Sequence, residues 1–236
     1  MKQEIIRLDL QGVNCYLGKT DEGFILFDTG GHLTVDKTFS NRREALEKEL
    51  ERAGCKPGNL RLVVLTHGDN DHTANAAHIR DKYNVKIAMH PGDRELVENP
   101  DLEMLMKSFH YKSLIYKIVF LLMKKTITKV TLRTLNDFCK FKPDILLGEG
   151  DNLAQYGFEA KVLHLPGHTA GSIGILTKEG DLIVGDTFVN AKSPDTAPNA
   201  DDFKVLEASA DRLRKLAVKT VYPGHGEPFE GNRLRN

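Results

Sequence analysis

The chain has 236 residues with 33 basic and 33 acidic side chains, so it carries no formal net charge at neutral pH. That balance excludes a protein steered to nucleic acid by its global field, and the length suits one sizeable hydrophobic core. Cys15, Cys55 and Cys139 are scattered, odd in number and form no CxxC pair, which fits reduced thiols in a cytoplasm better than a disulfide frame.

Charges interrupt the opening run Met1-Lys2-Gln3-Glu4-Ile5-Ile6-Arg7-Leu8, where a signal peptide needs an unbroken apolar core, so a cytoplasmic location is expected. Short strands are predicted at 4–10, 13–19 and 24–28, parted by Gly12 and by the turn Asp21-Glu22-Gly23. Cys15, inside Val13-Asn14-Cys15-Tyr16-Leu17, reads as core. A charged surface helix follows at 40–54, closed by Gly54. The run 60–65 reads as a short parallel strand, 73–80 as a helix start and 85–90 as a strand. Beyond residue 142, strands are predicted at 161–164, 172–177 and 182–184, then a helix at 204–217 and a last strand at 220–222. Periodicity alone gives a mixed α/β domain spanning 1–236.

The densest chemistry lies in Thr66-His67-Gly68-Asp69-Asn70-Asp71-His72, two imidazoles and two carboxylates in one turn at the carboxyl end of a strand. Donors at this density repel one another or compete for protons unless a cation neutralises them, and first-row divalent metals suit such mixed sites. Matching donors recur in equally constrained loops. His168 lies in Leu165-Pro166-Gly167-His168-Thr169-Ala170-Gly171-Ser172, Asp186 in Gly185-Asp186-Thr187, and His225 in Tyr222-Pro223-Gly224-His225-Gly226-Glu227. A lone histidine is more often a satisfied core or surface residue than a ligand. Three more Gly-flanked donors at strand ends argue the other way.

The ordered series His67, Asp69, Asp71, His72, His168, Asp186 and His225, with Asp28 in Phe27-Asp28-Thr29-Gly30-Gly31, resembles the metallo-β-lactamase superfamily of binuclear metallohydrolases. The likeness covers nearly the whole chain outside 91–142. It implies an α/β fold, the αββα sandwich, here with a helical insertion at 91–142. It also implies that His67, Asp69 and His168 hold one metal, that Asp71, His72 and His225 hold a second, and that Asp186 bridges them. The local spacing agrees with this division, because 67 and 69 point to one side of an extended turn while 71 and 72 enter a helix. A hydroxide shared by the two metals is then the implied nucleophile, with Asp71 as its candidate orienter and no serine or cysteine required.

The family signature is His-x-His-x-Asp-His, and this chain has Asp69 at the second His. A carboxylate there adds charge and a hard oxygen donor. Two divalent ions are expected, zinc first, with iron or manganese also suited to the donors. Diiron relatives that reduce oxygen or nitric oxide carry Glu at this place, which leaves a non-haem iron oxidoreductase of the same fold as the alternative function.

The segment 91–142 lies outside those motifs. A helix over 105–125 is predicted to carry an apolar stripe of Leu105, Phe109, Tyr116, Val119, Phe120 and Met123, widened by Ile115, Ile118 and Leu122. Its longest uncharged run, 118–123, is far below the ~20 residues of a membrane span. Between Met104 and Lys142 nine Lys or Arg face the single acid Asp137. Three roles suit such a segment: a cap that walls the metal cleft with snorkelling lysines, a homodimer contact through 104–142, or a basic face touching anionic membrane or an acyl substrate.

The expected activity is hydrolysis of an ester, thioester, lactone or similar bond in a small, partly apolar substrate, without nucleic acid as partner. With the chain ending soon after His225, neither the flavin domain of diiron relatives nor the helical extension of glutathione-thioester hydrolases is expected. β-Lactam hydrolysis is not expected without export. His32, after the Asp28-Thr29-Gly30-Gly31 turn, is within reach of the cleft mouth but is placed at the surface in preference, and His164 as a strand residue or hydrogen-bond partner. Lys192 or Ser193, in the polar loop 189–199, is available to an anionic group.

Overall fold

The structure, a computed structural model, describes residues 3–33 and 39–235. Strand alternation builds two sheets. β1 (Glu4–Asp9), β2 (Asn14–Thr20), β3 (Gly23–Phe27), β4 (Leu60–Val64), β5 (Ile87–Met89) and β6 (Ile145–Leu146) form the first, in that order. β1 to β3 pair antiparallel, and β4, β5 and β6 add in parallel. The second contains β7 (Ala160–His164), β8 (Ile173–Thr177) and β9 (Asp181–Gly185). A separate hairpin, β10 (Phe188–Asn190) and β11 (Pro194–Thr196), follows. β12 (Thr220–Pro223) then joins β9 in parallel, and β13 (Phe229–Glu230) closes that edge.

Successive side chains of a strand face opposite sides of a sheet, and here both sides are covered. From β3, Ile25 and Phe27 enter the layer between the sheets, where they meet Val162, Ile175 and Ile183. Phe24 and Leu26 face the other way, against Leu46 and Leu50 of helix α1 (Arg43–Arg52). On the far side of the second sheet, Leu182 and Val184 pack on Ala210 and Leu213 of a helix at Phe203–Arg214. The result is an αββα sandwich, each buried Leu, Ile or Phe contributing roughly 1.5–3 kcal/mol. Cys15 and Cys55 are buried in this core and Cys139 is exposed, all three as free thiols.

The helix expected over 73–80 is divided into α2 (Asn70–Thr73) and α3 (Ala76–Tyr83). The break lies at Asn75, whose Nδ2 donates to Thr29 O (2.9 Å) and Asn41 O (2.8 Å), tying the helix pair to the loops after β3. α1 starts three residues later than expected. Arg42 sits at φ 60° and donates to Leu10 O and Gly31 O instead of opening the helix.

Segment 91–142 is helical, as expected, but its main helix is displaced. After α4 (Arg94–Glu98) and α5 (Leu102–Lys107), the chain leaves the helix and α6 runs from Leu114 to Asp137. The expected continuous helix over 105–125 is therefore wrong. Its middle is pulled out by pairing with residues 198–200: Lys112 N donates to Pro198 O (3.2 Å), Ala200 N to His110 O (3.1 Å) and Asn199 Nδ2 to Ser108 O (3.0 Å). Tertiary hydrogen bonds here override local helix propensity. The last helix is α7 (Phe203–Arg214), whose start is set by Asp202 accepting from Lys204 N and Val205 N.

Candidate metal centre

Parallel pairing of β3 with β4 and of β9 with β12 collects strand carboxyl ends at one rim of the sandwich, the usual place for a ligand in such layers. Asp28 follows β3, and His67 and Asp69 follow β4. Asp69 is still extended (φ −65°, ψ 145°), whereas Asp71 and His72 lie in α2 and so turn away from it. His168 comes from the β7–β8 loop, Asp186 from the end of β9 and His225 from the end of β12.

These loops bring all seven expected ligands together. Three groups of donor atoms each fall within 4.8 Å: His67, Asp69 and His168; His67, His72 and Asp186; Asp71, His72 and His225. Asp69 Oδ2 is 3.2 Å from His168 Nε2 and 3.9 Å from His67 Nε2. Asp71 Oδ2 is 3.3 Å from His225 Nε2 and 3.9 Å from His72 Nε2. Asp186 lies between the sets, with Oδ1 3.5 Å from His72 Nε2 and Oδ2 3.2 Å from His225 Nε2 and 3.9 Å from His168 Nε2. Two donors each about 2.1 Å from one tetrahedral ion stand about 3.4 Å apart, the spacing seen in both sets.

Hydrogen bonding supports the same reading. His67 Nε2, His72 Nε2, His168 Nε2 and Asp186 Oδ1 are buried without a hydrogen-bond partner. The other ring nitrogens of the histidines are held: His72 Nδ1 by Asp28 Oδ2 (2.9 Å), His67 Nδ1 by Thr66 Oγ1 (3.0 Å), His168 Nδ1 by Asn199 O (3.0 Å) and His225 Nδ1 by Gly12 O (2.5 Å). Such partners fix ring orientation and aim each Nε2 at the centre. Gly224 keeps that space open, since a Cβ there would collide with Asp186 Oδ1 and lie 2.7 Å from His72 Cε1.

Burial pushes His67 down to about 4, helped by the neighbouring His72 and His168. Burial alone would also lower His72 and His168, but carboxylates outweigh it. Asp186, Asp28 and Asp71 raise His72 to about 9, and the adjacent Asp69 carboxylate, followed by Asp186, raises His168 to about 10. The field that draws protons onto these rings also favours a divalent cation.

Two residues that tie the centre together escaped sequence reasoning. Asp93, buried just before α4, accepts from Gly68 N (2.7 Å), Gly171 N (2.6 Å) and Thr169 Oγ1 (2.6 Å), joining the His67 loop to the His168 loop. Thr66 donates to Asp28 through both N (2.7 Å) and Oγ1 (2.8 Å). Asp93 carried only a weak signal, a Pro-Gly turn ahead of an acid, and its partners lie up to 78 residues away.

A cleft of about 410 Å³ opens over Asp69, Asp71, Asp186 and His225. Leu105 from α5, Phe109 and Tyr111 from the α5–α6 connection, Val130, Thr131 and Thr134 from α6, and Val189 and Ala191 from the β10–β11 hairpin line it. His32 is not at the surface as expected. It is only 7% exposed, lines the cleft, and places Nε2 2.7 Å from Asp137 Oδ2 because the end of α6 covers it. Lys192 and Ser193 are at the exposed hairpin tip and do not line the cleft. His164 is a hydrogen-bond partner, its Nε2 3.0 Å from Ala170 O.

A model of the metallo-beta-lactamase superfamily matches residues 8–225. A probable metallo-hydrolase of Methanocaldococcus jannaschii is 27% identical over 201 residues, covering 83% of each chain. An acyl-coenzyme A thioesterase of Gallus gallus is 27% identical over 192 residues, 77% of this chain and 61% of its own length. A hydroxyacylglutathione hydrolase of Haemophilus influenzae is 27% identical over 233 residues, 96% of this chain and 91% of its own. Among solved structures, a metallo-beta-lactamase family protein of Thermus thermophilus superposes with TM-score 0.70 at 23% identity, over 99% of this chain and 76% of that one. A protein crystallised in a di-iron-bound form gives TM-score 0.63 at 27% identity, over 98% and 96%.

Proposed function

The chain belongs to the metallo-beta-lactamase superfamily, and on that footing we propose that it is a binuclear metal-dependent hydrolase of a small, partly apolar acyl ester or thioester. The observation that carries this reading is the set of buried donors without partners, His67 Nε2, His72 Nε2, His168 Nε2 and Asp186 Oδ1. A buried polar group left unmet costs about 1–3 kcal/mol, so four aimed at one centre fit a site built for cations.

In this reading His67, Asp69 and His168 hold one ion, Asp71, His72 and His225 the other, and Asp186 lies between them. Bound there, divalent ions act as Lewis acids on the acyl carbonyl and lower the pKa of water. Asp71 lines the cleft, and in this reading it would orient the attacking water by accepting its hydrogen bond. Leu105, Phe109 and Val130 line the same cleft, and there they would shield an acyl group from solvent.

The relatives support an acyl substrate, since two bear the names acyl-coenzyme A thioesterase and hydroxyacylglutathione hydrolase. The chain matches 91% of the latter's length, and a glutathione thioester belongs among the substrates to test. Zinc, iron and manganese all suit the donors, and the di-iron-bound neighbour keeps iron in the comparison.

Metal analysis of untagged protein by mass spectrometry, with optical spectra before and after dithionite, tests the reading together with a panel of thioesters, esters and lactones. Two ions per chain, no dithionite-sensitive band and turnover of an acyl substrate are expected. Iron with a bleachable charge-transfer band and no hydrolysis would move the assignment to the oxidoreductase.

A further inference from the structure

α6 has two apolar faces, and the fold covers only one of them. Towards the body, Ile127, Thr131 and Thr134 are buried, and Phe120 stacks on Phe109 with ring centroids 5.7 Å apart. On the opposite side, at helical spacing, Leu114, Ile115, Ile118, Leu121 and Leu122 are 71, 71, 49, 67 and 81% exposed. A helix that only roofed the cleft would carry polar side chains on that outer face. Most of the large apolar side chains exposed among the described residues fall between Leu114 and Met123. A patch this concentrated marks an interaction surface.

The charge around the patch narrows what covers it. Lys112, Lys117, Lys124, Lys125 and Lys129 are all exposed, and no acid occurs between Met104 and Asn136. Among the described residues none of these five lysines forms an ion pair with an acid of the protein. Lys125 and Lys129 continue the outer face, and Lys117 and Lys124 flank it. A second copy laid against this face would confront lysine with lysine in the absence of any acid, which opposes self-association. An apolar strip bordered by flexible lysines matches instead the boundary between acyl chains and anionic headgroups.

We infer that the outer face of α6 docks the protein on an anionic lipid bilayer. The helix lies in the interface with Leu114, Ile115, Ile118, Leu121 and Leu122 in the acyl boundary and its lysines among the phosphates. The apolar strip rises only ~15 Å, and no helix among the described residues is long and apolar enough to cross a membrane. Docking in this way brings the wall of the cleft, which α6 also supplies through Val130 and Thr134, next to the lipid.

Co-sedimentation of the full chain with vesicles of phosphatidylcholine and phosphatidylserine, against phosphatidylcholine alone, tests the inference. Binding is read without turnover, so its failure is separate from failure of the hydrolase reading. Retention on the anionic vesicles is expected, weakening as salt rises. Ile115→Asp with Leu122→Asp should abolish it, and Lys124→Glu with Lys125→Glu should weaken it by more than about tenfold, each lysine being worth about fivefold. Circular dichroism and metal content should stay unchanged; if the aspartate pair unfolds the chain, the lysine pair decides. No retention, equal retention on neutral vesicles, or retention indifferent to both pairs would overturn the inference. So would a dimer, seen by light scattering, that the aspartate pair dissolves in a protein that binds no vesicles, or an acidic protein partner captured by the lysines in the same absence of vesicle binding.

Discussion

Asp28 Oδ2 lies 2.9 Å from His72 Nδ1, and the same carboxylate accepts hydrogen bonds from Thr66 N and Thr66 Oγ1. One side chain thus joins the end of β3, the end of β4 and helix α2. Asp28 sits at φ 61°, a region that Asn also tolerates, so Asp28→Asn removes the charge without straining the loop. Affinity for the ion of the Asp71, His72 and His225 set is expected to fall about 10–100-fold, the usual effect of losing such a partner. Titration of metal-free protein with zinc against a chromophoric chelator measures this, and equal losses at both sets would count against the assignment.

Asp93 should govern how stability depends on pH. Burial, only partly offset by hydrogen bonds from Thr169, Gly171 and Gly68, raises its carboxyl to about 6. An unfolded Asp titrates near ~3.9, so between the two values the folded state keeps a proton that the unfolded state has lost. Stability from this group is therefore fully present below about pH 4 and is lost as pH rises through about 6, a change of roughly 3 kcal/mol at most. Asp93→Asn places an amide against hydrogen-bond donors and no longer titrates. It should cost about 1–3 kcal/mol at neutral pH, and its deficit should widen on acidification to about pH 5. Urea unfolding at both pH values is the check, and a constant deficit would show that Asp93 keeps its charge throughout.

The ligand loops were legible because each has local chemistry: a short apolar strand, a glycine and then a donor, as in Gly185-Asp186 and Gly224-His225. β3 and β4 were legible as short apolar runs, Phe24 to Phe27 and Leu62 to Leu65, bounded by turn residues and too short for helices. What could not be read was set by distant pairing. Nothing near Ser108 announces that residues 198–200 will claim its backbone and split the helix. His32 reads as a surface residue because the element that buries it ends at Asp137, 105 positions away. Asp93 shows the same limit, an isolated acid whose role exists only once two loops meet.

If Asp69 is a ligand, it is expected to bias the choice of metal. Its Oδ2, 3.2 Å from His168 Nε2, is a hard anionic donor where the family signature places an imidazole. Asp69→His should raise the share of zinc over iron and manganese relative to the unaltered protein, because imidazole suits zinc while carboxylate suits harder ions. Mass spectrometry of protein grown with the three metals in equal supply measures the ratio. An unchanged ratio would mean that the other ligands decide the metal.

Phe109 tests whether the apolar wall recognises the acyl group. It lines the cleft and is held in place by Phe120, with Tyr111 packed against that same ring at 6.3 Å. Phe109→Ala removes apolar area that would cover a bound chain but touches none of the metal donors. Losing one such contact is worth about 1–3 kcal/mol of binding. KM for a medium-chain acyl thioester should therefore rise about 10-fold or more with kcat little changed, as expected for binding that substrate and transition state share. A short acetyl thioester, which cannot reach the wall, should be indifferent to the change. If kcat fell for both substrates alike, Phe109 would be acting on the centre through the loop, and the wall would not be the acyl site.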